Sequence, residues 1–191
     1  MVNDSVEIQP GLLEDIPALQ GIEQSAGQRF LSYPGLEWIA DDSVMSREAH
    51  KRAIDSGLSF TAVTYPAGGT QPKTVGFICA ELVGDQMHIL ELSVAMASQG
   101  KGIGKALVNY LIDKARALGL IAMTLTTFRE VAWNEPFYQH LGFFTVDDKE
   151  IMLMTENEHL HKALQDEAKQ GLVRSQRCAM RLPLARSQPG S

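Results

Sequence analysis

Apolar positions along this chain recur with two different periods, and the changes between them mark out the elements. Ile103, Leu107, Tyr110, Leu111, Ala115 and Leu118 return every three or four residues, which predicts an amphipathic helix with Gly119 as its left-handed C-cap. Just upstream, Ile89-Leu90-Glu91-Leu92-Ser93-Val94 is a short apolar run of the kind a largely buried strand shows, and residues 121–126 form another. Strand, glycine turn, helix and strand make a βαβ unit with a right-handed crossover.

The remaining chain is legible in the same way. Residues 5–8 predict a short strand broken by Pro10-Gly11. Leu13, Ile16, Leu19 and Ile22 predict a helix to about Ser25, with Glu14 and Asp15 in its first turn. A second, largely polar helix over residues 46–56 has Ser46 as N-cap and Gly57 after its end. Strands follow at 58–65, 74–83 and 86–94, the first two joined by a hairpin loop at 66–72, so three antiparallel strands precede the βαβ unit. Past Phe143, a strand at 144–146, an acidic helix at 155–170 ended by Gly171, and a last strand at 176–182 complete the pattern. Residues 185–191 read as a frayed tail. Residues 28–38 keep neither period and carry Phe30, Tyr33 and Trp38, which predicts an ordered loop whose aromatics either cover the core or line a site.

Composition narrows the classes. The 191 residues, 45% hydrophobic and 21% charged, suffice for one domain with a full core, and no internal repeat or linker divides them. A net charge of −6 disfavours nucleic-acid and anionic-membrane partners and suits a cationic amine. No apolar run is long enough for a membrane span and residues 1–4 do not open a leader, so the expectation is a cytoplasmic protein. Cys79 and Cys178 read as reduced core thiols without metal-ligand spacing, and no metal site is expected. His159 and His161, two apart on a helix, face different directions and are expected to be solvated.

The candidate chemistry sits in Gln99-Gly100-Lys101-Gly102-Ile103-Gly104-Lys105. Glycines let backbone approach a ligand, and the unpaired N–H groups of a helix's first turn attract an anion, which reads as a phosphate cradle. A triphosphate loop is excluded, because only three residues separate Gly100 from Gly104 and Ala106 replaces the magnesium-binding hydroxyl. A dinucleotide fingerprint is excluded by Lys105 in the place of its third glycine. What remains is Q-x-x-G-x-G, with Gln99, Gly102 and Gly104 between a strand and a helix.

That motif resembles the turn with which GNAT N-acetyltransferases hold the pyrophosphate of coenzyme A. Asn134-Glu135-Pro136-Phe137-Tyr138 and Leu141-Gly142-Phe143 resemble a second GNAT stretch, in which an asparagine opens a short helix; Asn134 is the expected N-cap. The resemblance spans about residues 88–146 and implies an α/β GNAT acyl-CoA N-acyltransferase fold over residues 1–191, a mixed sheet of about six to seven strands flanked by helices. It implies acetyl-CoA as cofactor, held by Leu92, Ser93, Val94, Gln99, Gly100, Lys101, Gly102, Ile103, Gly104, Lys105, Asn134 and Phe137, with a backbone N–H near Val94 for the oxyanion. The implied acceptor is a primary amine of a small molecule, walled by Phe30, Tyr33, Trp38, Phe128 and Trp133; a homodimer fits the family's habit. Acetylation of a protein amine, an acyl-CoA-binding module without turnover and a nucleotide-binding protein are the alternatives.

Acyl transfer from a thioester needs a neutral amine. A lysine-like amine, pKa near 10.4, is neutral about once in 10³ at pH 7, a handicap of roughly 4 kcal/mol, so a proton acceptor is required. Glu91 and His88 lie on one strand with opposite parity, so at most one reaches a given pocket; Glu91, His88 and a water path all remain open. A carboxylate within Ile89–Leu92 is costly unless it meets a pocket, partner or water, and burial would make it a better base. Tyr138 matches the family's general acid, which protonates the leaving thiolate. Neither cysteine matches a nucleophile, which implies direct attack by the amine.

Overall fold

The computed structural model describes residues 5–65 and 71–184. Seven strands, β1 (Ser5–Pro10), β2 (Ser59–Tyr65), β3 (Lys73–Val83), β4 (Gln86–Val94), β5 (Ala122–Phe128), β6 (Phe144–Thr145) and β7 (Arg177–Pro183), form one mixed sheet in the order β1-β2-β3-β4-β5-β7-β6. The helices are α1 (Ile16–Gly27), α2 (Arg47–Asp55), α3 (Ile103–Ala117), α4 (Glu135–Gln139), α5 (Asp148–Leu153) and α6 (Glu158–Lys169). β4 and β5 run parallel, joined through α3, while β1–β2, β2–β3, β5–β7 and β6–β7 pair antiparallel. The expected βαβ unit is therefore present, and so is the expected antiparallel pairing of β2 with β3. The hairpin loop at 66–70 and the tail at 185–191 lie outside the described residues.

The chain resolves into two compact units, Met1–Glu81 with Leu90–Leu111, and Leu82–Ile89 with Ile112–Ser191. In the first, α1 buries Ile16, Leu19 and Ile22, and Leu19 and Ile22 pack with Ala53, Phe77 and Cys79. Each such side chain contributes about 1.5–3 kcal/mol by leaving water. Ser46 caps α2 as expected, accepting from the Ala49 N–H at 3.2 Å. In the second unit, Val146, Ile151, Leu160, Leu164 and Ala179 make the corresponding cluster.

Local side-chain bonding moved several boundaries. Asp15 accepts from the Leu12 N–H at 2.8 Å and closes a 3-10 turn over Leu13–Asp15, so α1 starts at Ile16 rather than Leu13. Residues 28–38 are ordered as expected, with 3-10 turns at Gln28–Ser32 and Glu37–Asp41 and the Gln28 amide donating to the Ala40 carbonyl at 3.1 Å. The helix expected at 155–170 is present as α6, opened by a 3-10 turn at Thr155–Asn157 whose buried Asn157 donates to the Glu150 carbonyl and accepts from Arg181; α5, capped by Asp147, is an additional helix before it. Leu118 follows the periodicity but falls beyond α3 and is exposed. Asn134 does not cap α4 through its side chain, which donates to Thr127 Oγ1 at 2.9 Å.

Candidate active site

In the first unit, β4 delivers the chain into the glycine loop, and two contacts tie that stretch to α1 and the turn after it. Ser25 Oγ accepts from the Met96 N–H at 3.2 Å, and Arg29 donates to Gln99 Oε1 at 3.1 Å. Gln99 Nε2 in turn donates to the Val94 carbonyl at 3.0 Å. The Gln99 amide, expected as a ligand donor, is thus the brace that folds the loop back on β4.

Gly100 and Gly102 have φ of 76° and 80°, a left-handed backbone that costs other residues about 1–2 kcal/mol, and nothing lies within 4 Å of where their Cβ atoms would be. The first hydrogen bond of α3 runs from the Ala106 N–H to the Gly102 carbonyl at 3.0 Å, so the amides of Ile103, Gly104 and Lys105 precede the helical ladder. Exposed Lys101 and Lys105 flank them, while Ile103 anchors the turn in the core. A diphosphate fits this cradle by charge and by space.

Gly76 is a site residue that sequence reasoning missed. A Cβ there would stand 3.1 Å from the Ser93 carbonyl, 3.2 Å from Val94 Cγ2 and 3.4 Å from Ile103 Cγ2. Only a glycine lets β3 approach so closely, next to an irregularity in the β2–β3 register at Ala62/Val63. Among the described residues the β4–β5 ladder pairs Gln86, Met87 and His88 with Ala122, Met123 and Thr124, and it does not extend to Leu92, Ser93 or Val94.

Glu91 is half-buried, and Ser93 Oγ donates to its Oε1 at 2.7 Å. Glu23, the second missed residue, projects from α1, where both carboxylate oxygens accept from the Met45 N–H at 3.0 Å. Burial first, then the neighbouring Glu91 and Asp42, push the Glu23 carboxyl up to about 8 against the opposing pull of the Met45 N–H. Its signal in the sequence was position: Glu23 follows Leu19 by four residues and so shares its inward face. Burial also holds the Cys79 thiol up at about 12, with Ser59 Oγ at 3.4 Å and His50 Nδ1 at 3.8 Å, so it is protonated and inert at neutral pH. Of the expected acceptor-wall residues here, Phe30 and Tyr33 are half-buried and Trp38 is 42% exposed.

In the second unit, Tyr138 is buried on α4, its ring edge-on to Phe137 at 5.0 Å and Phe143 at 5.6 Å. Its N–H donates to the Asn134 carbonyl at 3.1 Å. Asn134 Oδ1 is buried without a hydrogen-bond donor, an unsatisfied acceptor suited to an amide N–H such as pantetheine carries. Phe128 is buried with the Arg177 guanidinium 4.4 Å over its ring, and Trp133 is half-buried. His88 Nδ1 bonds Thr124 Oγ1 at 3.0 Å, and Thr124 Oγ1 bonds His159 Nε2 at 2.9 Å. His159 is therefore not solvated as expected: its ring stands edge-on to His88 at 5.5 Å. Burial, and His159 secondarily, lower the His88 imidazole to about 4.

The family model for the acetyltransferase (GNAT) family matches residues 33–143, more than half of the chain and inclusive of both motifs. The chain belongs to the GNAT family. This GNAT chain is an N-acetyltransferase that uses acetyl-CoA. Solved structures of the same fold include PaiA N-acetyltransferase from Thermoplasma acidophilum in complex with coenzyme A, 18% identical, TM-score 0.65, covering 94% of this chain and 99% of that one. Another is the ribosomal-protein-S18-alanine N-acetyltransferase from Escherichia coli, 20% identical, TM-score 0.62, covering 98% and 99%. N-acetylglutamate synthase from Neisseria gonorrhoeae, complexed with coenzyme A and N-acetyl-glutamate, is 22% identical with a TM-score of 0.61 and covers 96% of this chain and 36% of that one. At these identities the likeness is one of fold. Among the described residues, no helix is long and apolar enough to cross a membrane.

Proposed function

We propose that the enzyme acetylates a primary amine of a small molecule by direct attack, with Glu91 as general base and Tyr138 as general acid. The observation that carries the reading is Glu91 itself, a half-buried carboxylate oriented by Ser93 at the end of the strand that enters the glycine cradle. Acetyl-CoA, when bound, supplies the thioester. In the first unit the loop amides after Gly102 would receive its diphosphate and the backbone at Leu92–Val94 would bond its pantetheine arm, with Glu91 as acceptor of the ammonium proton; in the second unit the unsatisfied Asn134 Oδ1 would take an amide N–H. Tyr138 protonates the departing thiolate, a modest demand on a group whose ordinary pKa is near 8.5. His88 is the weaker base, since its Nδ1 is engaged by Thr124 and its ring by His159.

Support for a small acceptor comes from the segment after α1, whose two 3-10 turns fold back through Gln28 and Ala40 and carry Phe30 and Tyr33 half-buried. We also take residues 1–191 as one domain, because β4 and α3 each run from one compact unit into the other. The test is thiol release from acetyl-CoA against a panel of primary amines and an alanine-terminated peptide, beside calorimetric binding of acetyl-CoA. Release driven by a small amine and lost in Glu91→Gln supports the reading. Release driven only by the peptide replaces the acceptor class, and failure to bind acetyl-CoA overturns the reading.

A further inference from the structure

Resting on the reading that the backbone at Leu92–Val94 bonds the thioester arm, we propose that Arg29 is a positioning residue for acyl transfer, fixing the Val94–Ala95 peptide at the end of β4 through Gln99. The chain of contacts is short, and donor chemistry sets its direction. A guanidinium only donates, so Arg29 takes the carbonyl end of the Gln99 side chain, with Nη1 3.1 Å from Oε1. The other end is then turned to the strand, where Nε2 donates to the Val94 carbonyl at 3.0 Å. On its N–H side the same peptide is held by β3, because Ala95 donates to the Val75 carbonyl at 2.8 Å. The Val94–Ala95 peptide is thus gripped at both polar atoms.

One hydrogen bond leaves a peptide free to turn about it, and a second at the opposite atom does not. Gly76 adds a steric limit: a Cβ there would stand 3.1 Å from the Ser93 carbonyl and 3.2 Å from Val94 Cγ2, so β3 already presses on the strand end. The next residue, Met96, is tied to Ser25 Oγ at 3.2 Å, a second fastening from the same part of the chain as Arg29. Backbone that lies against a reacting thioester must keep its place, since a misplacement of about 1 Å costs about a hundredfold in rate. Arg29 belongs to the 3-10 turn Gln28–Ser32, which also carries Phe30 of the expected acceptor wall, so one turn serves both substrates. The cradle amides of Ile103, Gly104 and Lys105 are not part of the relay. Loss of Arg29 therefore harms the chemical step more than cofactor affinity.

Two measurements on the full chain decide this, each run on Arg29→Met, Gln99→Met and the double variant, a cycle that cancels whatever else either side chain holds. In amide hydrogen exchange, Ala95 should exchange about tenfold faster in each single variant and no faster in the pair. Arg29→Lys, which keeps a donor, should recover part of that protection. Ala80, whose N–H bonds the Leu58 carbonyl at 2.9 Å elsewhere on β3, reports any general loosening and should stay within about twofold. Unchanged Ala95 exchange in Arg29→Met, additive effects in the pair, or an equal rise at Ala80 overturns the proposal, whether or not any amine is acetylated. In thiol release driven by the best amine of the panel, Arg29→Met should lower kcat about tenfold while the calorimetric Kd for coenzyme A stays within about threefold. Equal losses in kcat and in coenzyme A affinity make Arg29 a support of the cradle alone, and they overturn the proposal too. Absence of release with every amine would instead sink the acceptor reading, leaving the exchange result to judge the relay.

Discussion

β4 carries two titratable residues three positions apart, His88 and Glu91, and the chain treats them in opposite ways. Around His88 a network forms: Thr124 bonds it, the His159 ring stands edge-on to it, and Glu167 adds a compensating charge. Glu91 accepts from the Ser93 hydroxyl, and its charge raises the cost of ionising Glu23. A satisfied, buried imidazole is a packing element. Like charges brought together raise the cost of ionising both. The difference shows that burial alone does not mark a functional residue; the sign and completeness of its surroundings do.

The strongest way to break this comparison is at turnover. Tyr138→Phe should lower kcat by about 10²–10³, as loss of a general acid does, with acetyl-CoA affinity within twofold; unchanged kcat in stopped-flow thiol release removes the role. Glu91→Gln should lower kcat/KM about a hundredfold while His88→Gln lowers it less than threefold. Reversed sizes would exchange the two assignments.

Stability against pH sharpens the same contrast, because both clusters favour neutral forms from opposite directions. The native His88 pKa near 4 lies below its ordinary 6.5, so the unfolded chain binds more protons between those values. Stability from this group is complete above pH 6.5 and is lost as pH falls toward 4, at most about 3 kcal/mol for one imidazole. His88→Gln should flatten that acid slope in thermal melts, and an unaltered slope would mean that His88 protonates freely in the fold. Glu23 has the opposite sign: its native pKa near 8 lies above the ordinary 4.5, so its contribution is complete below 4.5 and is lost as pH rises through 8. Glu23→Gln should therefore melt a few degrees higher than wild type at pH 8.5 and not at pH 4.5. The smallest effect is expected at Gly76, where alanine meets the Ser93 carbonyl and Val94 and should raise KM for acetyl-CoA several-fold with kcat nearly intact.

Much of this was written in the chain. The 3.6-residue rhythm of α3, the glycines around Gln99 and the Asn134–Phe143 stretch needed only local spacing, because a helix face, a left-handed turn and a β-rich run are each decided within a few residues. What local pattern could not supply was contact across the sequence. The 28–38 stretch reads as a loop until Gln28 meets Ala40, and Asn134 reads as a cap until Thr127 takes its amide. His159 reads as solvated until Thr124 and His88 reach it. Gly76 matters only because Ser93, Val94 and Ile103 converge on it. The electrostatic effect of Glu91 on Glu23 is of the same kind: sixty-eight positions separate them, and no periodicity encodes it. Sequence by itself determined the elements, the cradle and the family, since these depend on short-range sterics and spacing. Tertiary structure alone decided which buried titratable groups are held neutral, because electrostatic energy depends on distance in space and on desolvation, neither of which is local in the chain.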